Sequence, residues 1–177
     1  MNWALFGVVA YLLLGVSFAA GGAMEVVGVR PEPILVLVAF VALMATWRTA
    51  SWAAVAAGLC LDLLTVYPGG VVLIGPMAIG TVAGAFVVHQ LRGVVFRHSL
   101  LTVVILTAVG GLFTEIFSVS LMAVRTLPWP VGEMIEGWRA ADSLFRGFLS
   151  VIYTALLAVP IGALLLAIER WFGFAER

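Results

Sequence analysis

The sequence contains no lysine, a single cysteine and two histidines, and only 10% of its 177 residues are charged. Each shortage excludes something. Without lysine every fixed side-chain cation is a guanidinium. Nine arginines balance nine acids, so no net field draws nucleic acid or an acidic partner. The lone Cys60 forbids a disulfide framework within the chain and a zinc cluster built on thiolates. In its apolar setting, Gly58-Leu59-Cys60-Leu61, it reads as a small buried hydrophobe. A fold of this length must still cover itself with polar groups, and nine cations plus nine acids cannot do so in water. A water-soluble enzyme domain is excluded.

What is present is apolar: 64% of residues are hydrophobic and the mean hydropathy is +1.20. Soluble domains run at about 45–50% apolar, and disordered chains lie lower still. The expected environment is a lipid bilayer, whose core of about 30 Å takes about 20 helical residues per span. Six apolar runs fit: Trp3–Ala23, Ile34–Trp47, Trp52–Tyr67, Val71–Val88, Leu100–Val124 and Phe148–Ile168. The first lacks the cationic start and short core of a secretory signal and is expected to be a retained transmembrane helix. The second and third are short and separated only by Arg48-Thr49-Ala50-Ser51, between Trp47 and Trp52. Interfacial tryptophans suggest a tight helical hairpin, with a re-entrant pair as the competing reading. Gly75-Pro76 is expected to kink the fourth span. Placing the cationic loop from His89 to His98 and Arg170 inside makes both termini cytoplasmic.

One connection differs in kind. From Pro128 to Arg146 the apolar residues Val131, Met134, Ile135, Trp138, Ala141 and Phe145 recur at helical spacing. Glu133, Glu136, Arg139, Asp142 and Arg146 occupy the opposite face, which predicts a helix over about 130–146 lying in the outer interface. Its apolar stripe either covers the end of the bundle or offers a docking face.

Ionisable groups within spans are costly and mark function or pairing. Asp62 and Glu115 are the two candidates. Asp62 is expected to pair with Arg30, fixing the first outer loop against the third span. Glu115 is expected to hydrogen-bond a neighbouring helix in its neutral form, the alternative being a proton or cation site. His89 and His98 have no adjacent acid or thiol to make a metal site. No Ser-His-Asp set, HExxH or phosphate loop is present, so no catalytic constellation, cofactor or metal is expected. Gly80 and Gly84 form a GxxxG, expected to serve helix packing within the chain or, as the lesser alternative, with another subunit.

The stretch Arg30-Pro31, Ile34-Leu35-Val36-Leu37-Val38, Gly58-Leu59-Cys60-Leu61-Asp62-Leu63-Leu64, Gly70-Val71 and the basic Leu91-Arg92-Gly93-Val94-Val95-Phe96-Arg97 resembles the rod shape-determining MreD family. The resemblance implies an all-α fold of about six transmembrane helices, similar to the substrate-binding subunits of vitamin (ECF-type) transporters. It also implies a non-enzymatic scaffold of the bacterial inner membrane. Such a scaffold works with the bitopic protein MreC, with MreB and with RodA and its transpeptidase in cell-wall elongation. The fold likeness supplies the alternative function, a small-molecule binding or transport subunit with Asp62 and Glu115 lining a cavity. Lipid is an expected partner, nucleic acid is not, and a homo-oligomer is open.

Overall fold

A computed structural model of the chain describes residues 1–19, 29–65, 72–95, 99–125 and 139–174. These residues fold into helices: α1 (Trp3–Ala19), α2 (Pro33–Met44), α3 (Trp47–Leu64), α4 (Pro76–Leu91), α5 (Leu100–Arg125) and α6 (Ala140–Ile168), with a 3-10 turn at Glu169–Phe172.

The bundle is organised around its shortest α-helix. Every residue of α2 from Pro33 to Leu43 is buried, and α1, α3, α4, α5 and α6 all pack on it. That follows from sequence, because PILVLVAFVALM has no polar face to leave outside. Phe172 and Phe174 meet Phe40 edge-on at 5.8 Å. The Asn2 amide donates to the Phe172 carbonyl at 2.7 Å, so the two ends of the described chain close over α2. Around this core α4 packs between α3 and α5, and α5 packs on α6. Large apolar side chains cover the outside, including Tyr11, Leu12, Leu101, Val124 and Leu156.

Two helices are long and apolar enough to cross a membrane: Leu100–Arg125, and α6 with its 3-10 extension, Ala140–Phe172. That is fewer than the six expected. The helices α1, α2 and α4 are shorter, and the 18-residue α3 carries Arg48, Thr49, Ser51 and Asp62. At 1.5 Å per residue α2 reaches only about 18 Å.

Several boundaries move from those read in the sequence. The expected turn at Arg48-Thr49-Ala50-Ser51 is helical, and the chain breaks earlier, where Ala45 and Thr46 are extended. None of the four residues is a helix breaker, so α3 starts at Trp47, directly after the extended N-cap Thr46. Pro76 does not kink a span; it opens α4 at the position where its missing N–H costs nothing. The preceding Gly75 makes that entry possible with φ 123°, a conformation unfavourable to residues carrying a Cβ. Residues 140–146, expected at the end of an interfacial helix, instead form the first two turns of the continuous α6, since nothing between Ala140 and Phe148 interrupts it. Val131, Met134, Ile135 and Trp138 lie outside the described residues, as does Gly70. Phe145 is exposed, at 64%.

Candidate functional site

Acidic residues lie at one end of the bundle, where α3 finishes, α4 starts and α2 begins. They form two separate sites.

The first is built on Asp62, fully buried near the end of α3. Its Oδ2 accepts the amides of Gly75 at 2.8 Å and Ala78 at 3.0 Å, and its Oδ1 accepts that of Met77 at 2.9 Å. Pro76 has no N–H to offer, so the carboxylate collects the available donors of the α4 N-terminus. This is an N-cap supplied from a neighbouring helix, and the positive end of the helix dipole favours the acid there. The expected Asp62–Arg30 pair is thereby corrected. The contacts fixing Asp62 are main-chain amides, while the Arg30 carbonyl accepts the Ser150 hydroxyl of α6 at 2.6 Å. A helix N-terminus solves the desolvation problem without burying a guanidinium.

Glycines make that joint possible. A Cβ on Gly58 would lie 2.5 Å from the Ala78 Cα and 2.8 Å from the Met77 carbonyl oxygen, so α3 and α4 touch backbone to backbone one turn from Asp62. The Thr81 hydroxyl bridges the same contact by donating to the Ala54 carbonyl at 2.9 Å. On the other face of α4, Gly80 lies against the Thr114 carbonyl and Ser118, and Gly84 against the Gly110 carbonyl and Thr114. The GxxxG is therefore used inside the chain, between α4 and α5. The cavity lined by Leu35, Val38, Gly84, Gly110 and Thr114 measures about 10 Å³, room for about one water.

The second site lies between the start of α2, α5 and α6. Arg30 is exposed and Pro31 buried. The next residue, Glu32, was not anticipated as a site residue. Its amide donates to the Thr154 hydroxyl at 2.9 Å, which fastens the α2 entry to α6. Its Oε2 is buried without a hydrogen-bond partner. Burial, and then the neighbouring Glu115 carboxyl, push the Glu32 carboxyl above the ordinary carboxylate range. Glu115 reaches from α5 to the bare backbone of Gly147, where a Cβ would stand 2.8 Å from its Cδ. Glu115 thus meets α6, and with Glu32 it makes a second acid pocket that Asp62 does not share.

The opposite end of the core is closed by α4. Far from lying in a loop, His89 occupies the last turn of α4, its Nδ1 3.2 Å from the Ala42 carbonyl and its ring 5.5 Å from that of Trp47. The Arg92 guanidinium donates to the Ala45 carbonyl at 2.7 Å. Both meet the C-terminus of α2, where a cation complements the helix dipole. Among the described residues no group of three or more His, Cys, Asp or Glu side chains is placed to hold a metal. No family profile, curated protein or solved structure matches the chain.

Proposed function

We propose that this protein is a non-enzymatic, multi-pass scaffold of the bacterial inner membrane. In this reading it belongs to the elongation machinery that maintains rod shape, akin to MreD. It holds an MreC-like bitopic protein and, directly or through it, MreB, RodA and its transpeptidase. The remaining helices complete about six crossings with both termini cytoplasmic. The apolar exteriors of α1, α5 and α6 face lipid, and α2 is sheltered from lipid by its neighbours.

The observation that carries the scaffold reading is the separation of the two acids. Asp62 is consumed in the α3–α4 joint, and Glu115 serves the α5–α6 seam. A binding subunit for a vitamin-sized solute needs both facing one polar cavity. The residues that carry the resemblance, Gly58 and Asp62, form a packing joint, which suits a protein whose work is to present helices rigidly.

The test is depletion in a rod-shaped native host, with rescue by the wild-type chain or by Asp62→Ala. Rounding and lysis, rescued only by wild type, are the expected result. Normal cell width with a nutrient-uptake defect would overturn the scaffold in favour of the transport subunit.

A further inference from the structure

We infer that the corner where α2 ends and α3 starts, together with the outward face of α3, binds an acidic phospholipid, with Arg48 on its phosphate. The sequence sorts charge by sign before any fold exists. Between Glu32 and Asp62 the only charged residue is Arg48, and between Asp62 and Glu115 every charged residue is an arginine. The fold then gathers cations at one corner. The Arg92 guanidinium donates to the Ala45 carbonyl at 2.7 Å, three residues before Arg48. Beside Arg48, the Trp47 ring is held 5.4 Å from that of Phe86 and 5.5 Å from that of His89.

From this corner one exposed face runs down α3. Its residues, Arg48, Trp52, Ala56, Leu59 and Leu63, recur at helical spacing, and all are exposed, Trp52 at 62%. The face passes from guanidinium through indole to alkyl, which is the order of phosphate, glycerol and acyl chain along a phospholipid. A guanidinium fork fits phosphate oxygens, and tryptophan favours the membrane interface. A soluble anion could meet Arg48 but would leave the apolar face below it uncovered. A phospholipid covers both.

The two ends of the bundle differ accordingly. Trp3, Trp47, Trp52 and Trp171, all the tryptophans among the described residues, belong to this end. Arg170 lies here too, 6.0 Å from the Trp171 ring, and Glu169 is the one acid among the described residues of this end. At the other end Arg30, Arg125, Arg139 and Arg146 share the space with Glu32, Asp62 and Asp142. The inference needs the chain in a bilayer, as the proposed function does, but not a role in elongation.

The experiment is native mass spectrometry of the full chain from detergent micelles, titrated with phosphatidylglycerol or with phosphatidylcholine of the same acyl chains. Wild type is expected to bind the acidic lipid at least about fivefold more tightly, the discrimination one arginine supplies at an anionic surface. Arg48→Gln loses most of that preference and Arg48→Lys keeps it. Arg146→Gln, which removes an exposed cation from the other end, leaves it unchanged. Equal affinity of wild type for the two lipids would overturn the surface without recourse to any variant. So would a preference that survives Arg48→Gln, or one that falls as far in Arg146→Gln. Displacement of phosphatidylglycerol by equimolar glycerol 3-phosphate would also overturn it, marking a site for a soluble anion. Binding is read on the purified chain and depletion in cells, so failure here is distinguishable from failure of the scaffold reading.

Discussion

Asp62 is a buried acid and Glu32 a half-buried one at the same end of the bundle, and the protein treats them in opposite ways. Asp62 receives three amides from a helix N-terminus, on both oxygens. Glu32 is fastened only through its backbone, and one carboxyl oxygen is left without a donor. The first is a finished joint whose donors are fixed by helix geometry. The second is a joint held through the main chain, with its carboxyl left unfinished. Satisfied burial produces rigidity, and unsatisfied burial produces sensitivity to conditions.

The sharpest way to break this contrast is Asp62→Ala. It leaves two buried amides and one half-buried one without their acceptor, so a loss of about 3–5 kcal/mol is expected, read as a collapse of the thermal unfolding temperature in detergent. Gly58→Val attacks the same joint sterically. Overpacking against the α4 backbone is expected to cost about 1–3 kcal/mol, with a matching fall in folded protein recovered from membranes. At the far end, Arg92→Ala removes one donor from the α2 C-terminus and should cost about 1–2 kcal/mol in the same melt.

Glu32→Gln should do least at acid pH, and its effect has a sign. A carboxyl raised in the folded state binds more protons folded than unfolded, so its stabilisation is complete below the unfolded carboxylate range. It is lost as pH rises toward the folded value. Wild type should therefore lose stability as pH rises from the ordinary carboxylate range to about 8, while Glu32→Gln stays flatter. A wild type no more alkali-sensitive than the variant would erase the distinction between the two acids. In contrast, Gly15→Ala in the interior of α1 meets nothing within 4 Å and should raise stability by about 0.5–1 kcal/mol.

Hydropathy located α1, α5 and the body of α6 in the sequence, because long apolar runs leave few alternatives. It failed at the α2–α3 border, where the break consists of two extended residues, Ala45 and Thr46, that hydropathy does not register. Asp62 was legible as a costly buried acid, but its partner was not. Opposite charge suggested Arg30, whereas the actual donors are uncharged amides that exist only once Gly75-Pro76 has opened a helix. Glu32 escaped notice because an acid beside Arg30-Pro31 at the edge of an apolar run reads as ordinary boundary polarity. What could have exposed it is its position at the N-cap of a helix with no polar face. His89 and Arg92 were read as loop charges for the same reason: their acceptors are carbonyls, which a sequence does not display.

The enclosure of α2 carries a consequence for how the chain is made. Glu32 is fastened to Thr154, 122 residues further along. A ribosome therefore delivers the most hydrophobic segment long before the helix that seals it. In the interval the insertion machinery, or lipid, must shelter a stretch too short to anchor itself. Synthesis halted before α6 should consequently leave a product marked for proteolysis rather than a smaller stable bundle.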